Sequence, residues 1–413
     1  MNLLNRFYYR ADGRSCARYA RELKLSAGID RREQGLLLAD HLKFCRDTVP
    51  MYRALDVSTK DPFDTLRQVP VFDKTRLSAN CPMAISSQAA KGCRVDSTSG
   101  TSGQTFRFIV GRNELGVRKA YETVANEMLG LAPGARYLQI WGGHESGSLS
   151  KRAKNAAYSL LTGRTLRTVS GSDRRSLSRC AGDIRRHAGG CLITYPSILY
   201  GLCRLEAMAE HLQTYRSIIL TGEAVDYRLF AQFGLGDNLR NRYGSREFGV
   251  IALADRGAMR YFQSRYVLEC NRPHGLLVTD LAKKAMPMLR YPIGDFVDPS
   301  FERANSADQL AKLAHLGRVE GRTFDTIEGR SGKRYVGTFW TLTMRQRIAV
   351  DKFRLVLRPN YCLEVNYVGG PGEDEVRNKL LSILAGDFDL TICRRDQISE
   401  LSNAKQKIVT VET

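Results

Sequence analysis

The 413-residue chain is predicted to fold as an α/β core followed by a small α+β unit. Three observations carry this reading. Short apolar runs alternate with longer helical patterns between residues 90 and 300, the character turns to β from Tyr261 to Asp298, and a compact strand and helix set begins after Gly321. A chain of this length exceeds one ordinary hydrophobic core, so two or three packed units are expected.

Residues 1–75 carry helical spacing, seen in Leu36, Leu37, Leu38, His41, Leu42, Phe44 and Cys45, with Pro50, Pro62 and Pro70 punctuating the exit. Phe106–Val110 reads as a strand. Tyr137–Trp141, Cys191–Tyr195 and Ser217–Leu220 are short buried-strand candidates, with helical stretches at Arg112–Leu129 and Ser197–His211. Tyr266–Glu269 and Gly275–Thr279 continue as strands. Beyond Gly321, Val350–Leu357 and Cys362–Val368 form two strands, Glu373–Leu384 a helix and Leu390–Cys393 a third strand. That unit, of about ninety residues, is within domain size.

Composition excludes several classes. A hydrophobic content of 43% with 9% aromatics is that of a globular chain without low-complexity segments. The longest apolar run, Cys191–Cys203, contains Pro196 and is too short to span a bilayer. The start, Met1–Arg6, lacks an apolar signal core. Ten cysteines without a C-x-x-C pair, and six histidines that do not cluster with them, fit reduced thiols better than disulfides or a zinc site. A cytoplasmic location is expected. The net charge of +20 lies in small groups such as Arg174-Arg175, Arg185-Arg186, Lys283-Lys284 and Arg394-Arg395. Most are expected to be solvated, while the surplus draws in anionic ligands. No nucleic-acid-binding signature accompanies the charge, so nucleic acid is not the expected partner. The oligomeric state stays open, a homodimer included.

One segment stands out chemically. In Val95-Asp96-Ser97-Thr98-Ser99-Gly100-Thr101-Ser102-Gly103-Gln104-Thr105, side-chain bulk is stripped from the centre. Glycines let the backbone approach a ligand and aim successive N–H groups into one concavity, and hydroxyls add donors, which suits an oligophosphate. Taken alone, the same composition also describes a solvent-exposed linker.

The loop resembles the Ser/Thr/Gly-rich phosphate loop of the adenylate-forming superfamily, in the branch of phenylacetate–CoA ligase and CapK-type proteins. Further stretches resemble that family's stations, in its order. Leu66–Thr75 is similar to the approach segment. Ile219-Leu220-Thr221-Gly222-Glu223 resembles the strand and turn beside adenine, and Tyr243-Gly244-Ser245-Arg246-Glu247 the "YG-x-T/S-E" motif. Leu289–Asp295 resembles "RYRTGD", Gly321–Asp325 the hinge "GRxxD", and Asn403–Lys407 the C-terminal "SGKxR".

The resemblance implies an adenylation core over residues 1–321, a mobile lid over 322–413 and a hinge near Asp325. It implies ATP, Mg²⁺ and a thiol acceptor, most simply CoA, acting on an aryl or short-chain carboxylic acid. Thr98, Ser99, Gly100, Thr101, Ser102 and Gly103 would hold phosphates. The loop lacks the family's following Lys, a place Arg107 is suited to take. Gly222, Glu223, Tyr243, Gly244 and Ser245 would line the nucleotide, with Tyr243 stacking on adenine. Glu247 would ligate Mg²⁺, Asp295 would accept from the ribose hydroxyls, and Arg322 would hold ribose or phosphate. Lys405 would bridge the attacking carboxylate and the α-phosphate, with Lys407 the neighbouring alternative.

Two residues depart from the family pattern. Arg246 stands where a hydroxyl residue is usual, so its guanidinium either meets phosphate or turns away; Ala404 replaces a Gly. Trp141, Gly142, Gly143, His144 and Tyr195 follow candidate strands and would form the acyl pocket, although Trp141 and Tyr195 equally suit a core. Two rival functions remain at this point: delivery of the acyl group to an amine, a sugar or a carrier protein, and a lapsed ligase fold that binds polyanions.

Overall fold

The computed structural model describes residues 28–57, 61–89, 93–98, 106–142, 156–159, 162–169, 174–255, 257–271, 274–298, 313–322, 326–398 and 409–412. Its first helix, α1 (Arg31–Thr48), begins with a capping box: the Asp30 carboxylate accepts from the Glu33 N–H, and the Glu33 carboxylate accepts from the Asp30 N–H. Leu38, His41, Leu42 and Cys45 face inward, while Leu36 and Leu37 of the same run stay exposed.

A hairpin of β1 (Arg94–Ser97) and β2 (Arg107–Val110) comes next, then α2 (Arg112–Met128). The large sheet starts with β3 (Tyr137–Gly142), β4 (Arg164–Val169), β5 (Cys191–Thr194), β6 (Ser217–Thr221) and β7 (Leu239–Ser245), all parallel. It continues antiparallel through β8 (Gly249–Ala254) and β9 (Met259–Tyr261). Strands β10 (Tyr266–Asn271), β11 (Gly275–Asp280) and β12 (Tyr291–Pro292) make a separate sheet, and β13 (Asp295–Asp298) with β14 (Ala314–Arg322) closes the far edge of the large one. The nine-stranded order is β13-β14-β9-β8-β7-β6-β5-β3-β4.

Both faces of the parallel part are buried, which explains its unbroken apolar runs. Cys191, Ile193 and Ile219 point into the core shared with α2, whereas Leu192, Ile218 and Leu220 point into the opposite core. That second core includes α3 (Pro196–Cys203) and α4 (Met208–Gln213). The single helix expected over Ser197–His211 is therefore two. Ala207 takes a left-handed φ of 57°, which a continuous helix does not tolerate.

Residues from Ile327 onward pack into a cluster of their own around Trp340, Leu355, Val365 and Leu380. Here β15 (Ile327–Glu328) pairs with β16 (Arg334–Tyr335), and a four-stranded sheet has the order β19-β18-β17-β20. Its strands are β17 (Lys352–Arg358), β18 (Cys362–Val368), β19 (Asp389–Arg394) and β20 (Val409–Val411), with helix α5 (Glu373–Leu384) adding Val376, Leu380 and Leu384 to the cluster.

The expectation of a solvated Lys283-Lys284 pair needs correction. Lys283 is buried, its ammonium 5.0 Å from the Phe108 ring centre. Desolvation lowers its pKa to about 8, and Glu114 and Asp280 act against that shift. Lys284 is half-buried, within 3.0 Å of His41 Nδ1.

Candidate active site

The β1–β2 hairpin ends at Thr98, which is buried; its N–H donates to the Phe106 carbonyl at 2.9 Å, and its hydroxyl accepts from the Phe106 N–H at 3.4 Å. This is the stem of the Ser/Gly loop. Ser99, Gly100, Thr101, Ser102 and Gly103 themselves lie outside the described residues, as do Gly143, His144, Asp325, Lys405 and Lys407.

The turn from β7 to β8 carries the next group. Gly244 is obligatory: a Cβ there would sit 2.1 Å from the Gly249 carbonyl oxygen. The close approach makes a tight turn that sends Arg246 outward and Glu247 inward. Arg246 pairs with Asp96 on the hairpin stem at 3.2 Å, and its carbonyl accepts from the Arg118 guanidinium. The departure from the family pattern thus ties turn to stem. Glu247 is buried; its Oε1 accepts from the Tyr291 hydroxyl at 3.1 Å and lies 3.7 Å from Lys74 Nζ. Beside this carboxylate and out of water, the Tyr291 hydroxyl is driven far above its usual pKa, desolvation contributing most.

Tyr243 reaches from β7 to the sheet edge, where its hydroxyl donates to Asp295 Oδ2 at 2.6 Å. Asp295 is paired in register with Arg322 across β13 and β14. Asp295 and Arg322 thus lie on paired strands at the sheet edge, and the Tyr243 side chain reaches Asp295 from β7, which lies beyond β9 and β8 in the same sheet. On the other side, Gly222 has a φ of 81°, and a Cβ there would come within 2.9 Å of the Tyr195 ring. That ring stacks on Trp141 with centroids 4.5 Å apart and planes 8° from parallel. The Glu223 carboxylate is spent on α3, accepting from the Ser197 N–H and hydroxyl, each at 2.8 Å.

These elements enclose a cavity of about 490 Å³, walled by Trp141, Tyr195, Gly222, Tyr243, Gly244, Ser245 and Arg246. Its floor was not foreseen: Leu115, Arg118, Lys119 and Glu122 of α2, with Arg242 of β7. Their spacing of i, i+3, i+4 and i+7 puts the four α2 residues on one helix face, opposite the apolar face of Val117, Ala120 and Val124 that enters the core. A polar helix face ordinarily reads as solvated, which is why this signal passed unused.

Among the described residues no helix is long and apolar enough to cross a membrane, and no cluster of His, Cys, Asp and Glu could cage a metal ion. One buried carboxylate, Glu247, does fit a magnesium ion that takes its other ligands from phosphate and water.

The fold is that of the adenylate-forming acyl-CoA ligases. A 2-hydroxyisobutyryl-CoA ligase, solved in its postadenylation state with 2-HIB-AMP, superposes with a TM-score of 0.68 at 14% identity, over 94% of this chain and 91% of that one. The same ligase in its thioesterification state, with 2-HIB-AMP and CoA, gives 0.54 at 15% identity over 94% and 91%. In sequence, the phenylacetate-coenzyme A ligase of Thermus thermophilus is 25% identical over 340 residues, 76% of this chain and 74% of that protein. No family model matches the chain.

Proposed function

We propose that the protein is an acid–thiol ligase: it joins a carboxylic acid to AMP, releases pyrophosphate, and passes the acyl group to CoA. The observation that carries this reading is one cavity lined by Tyr243, whose hydroxyl donates to Asp295, and by Arg246, which pairs with Asp96 on the loop stem, with the Trp141–Tyr195 stack as its wall. Asp295 accepts from the ribose, Tyr243 and Gly222 flank the adenine, and the acid lies along the aromatic wall. In-line attack of its carboxylate on the α-phosphate builds negative charge on phosphate oxygens, so donors and cations must converge there. The loop 98–103 supplies N–H and hydroxyl donors. Lys405 brings an ammonium to the attacking carboxylate and the α-phosphate, and Glu247 would hold magnesium, which when bound would supply positive charge against the phosphates. Rotation of 322–413 about Asp325 withdraws Lys405 and admits the thiol.

Acid-dependent pyrophosphate release, followed with and without CoA, tests this. Release that needs acid, ATP and magnesium, with acyl-CoA accumulating when CoA is added, is expected. ATP binding without acid-dependent release across aromatic, aliphatic and hydroxy acids would refute it.

A further inference from the structure

The terminal unit shares no apolar core with the rest of the chain: among the described residues its buried cluster holds nothing before Ile327. A seam of that kind can part and re-form in a second arrangement. One charged contact crosses it near the pivot, where the Arg334 guanidinium of β16 lies 4.3 Å from the Phe296 ring centre on β13. Phe296 is in register with Gly321, beside the end of β14. Another contact crosses far from the pivot. There Arg204 pairs with Asp351. Arg204 caps the C-terminal end of α3, the helix that follows β5, and β5 stands six places from β13 in the sheet order. Each partner is held by its own unit. The Arg204 guanidinium lies 5.7 Å from the ring centre of Tyr200, one turn back on α3. The Asp351 N–H donates to the Val368 carbonyl at 2.9 Å, and its carboxylate fills the space over Gly369, where a Cβ would meet Oδ2 at 2.2 Å.

The unit also moves as one piece. The hairpin that carries Arg334 is fastened to its body by the Asp387 carboxylate, which accepts from the Tyr335 hydroxyl, the Ser331 N–H at 2.9 Å and the Ser331 hydroxyl at 3.0 Å. A rigid rotation about the 322–326 connection leaves a contact beside the pivot nearly in place and carries a distant one furthest. The Arg204–Asp351 pair therefore exists in only one of the two orientations that the reaction requires. Resting on the ligase reading above, we propose that this pair is the latch of the terminal unit. Closed, it holds the orientation of one half-reaction; it opens for the other, and its strength sets how the enzyme divides its time between them. Side-chain exposures of 43% and 45% keep the pair weak. Weakness suits the task, because a strongly favoured orientation would arrest the step that needs the other one.

Asp351→Asn and Arg204→Gln, one on each side of the seam, test the proposal in the full chain. Two assays separate the half-reactions: acid-dependent pyrophosphate exchange, and single-turnover acyl transfer from preloaded adenylate to CoA. Each variant is expected to move the two rates in opposite directions, by about two- to fivefold. A merely structural role would lower both together. The double variant should do no more than either single one, because both remove the same contact. Arg204→Glu sets two carboxylates face to face and should enlarge the shift, and adding Asp351→Arg should reverse it. Rates that stay put, or that fall together in both single variants, overturn the latch and leave the ligase reading standing. No exchange with any acid in the parent, while ATP still binds, overturns both.

Discussion

Gly222→Ala is expected to damage the cavity wall and the stability of the core together, through two separable costs. The backbone at this position has a φ of 81°. An L side chain in that region costs about 1–2 kcal/mol. The new Cβ would also lie 2.9 Å from Tyr195 Cε1 and 3.2 Å from Cδ1. The ring already stacks on Trp141 at 4.5 Å, so it moves only by disturbing that stack. Overpacking of this kind costs about 1–3 kcal/mol, giving roughly 2–5 kcal/mol in all. Urea unfolding followed by tryptophan fluorescence reads the loss, and the KM for the acid in pyrophosphate release should rise with it. Tyr195→Leu removes the steric part and leaves the backbone part, so a double-mutant cycle should give a coupling of about 1–3 kcal/mol. A Gly222→Ala protein as stable as its parent, or one whose loss is the same with Tyr195→Leu, refutes the reasoning.

Lys405→Ala should cut adenylate formation by about 10²–10³ while ATP still binds; unaltered pyrophosphate exchange removes the residue from the reaction. Glu247→Gln should raise the magnesium concentration needed for half-maximal release, and a normal metal requirement takes Glu247 out of the site. Burial, reinforced by Lys284, lowers the His41 pKa from 6.5 to about 3. The unfolded chain therefore takes up this proton first as acid is added. Stability is full above pH 6.5 and declines as pH falls toward 3, by at most roughly 4–5 kcal/mol. His41→Asn should flatten that limb of the urea midpoint against pH, and an unchanged slope refutes the assignment.

The strands of the core were legible because both faces of the parallel sheet are covered, which forces runs such as Cys191–Thr194 and Ser217–Leu220 to be apolar throughout. The break at Ala207 was not legible, since alanine is a strong helix former and only tertiary context holds it left-handed. In the candidate site, glycine geometry and motif order picked out Tyr243, Gly222 and Asp295; Tyr243 and Gly222 line the cavity, and Asp295 is joined to it through the Tyr243 hydroxyl. Arg118, Lys119, Glu122 and Arg242 were not picked out, because whether a charged helix face meets water or a cavity depends on what is folded over it. The role of Arg246 needed coordinates too: its partner Asp96 is distant in sequence and is brought near only when the hairpin meets the β7–β8 turn.

The register of β13 against β14 reaches further than the sheet edge. Asp295 sits opposite Arg322, the last residue of the strand from which the chain departs for its terminal unit. On the proposed rotation of 322–413, a sugar held at Asp295 would rest at the root of that movement. Filling or emptying the nucleotide seat would load or slacken this root directly, with no relay of side chains in between.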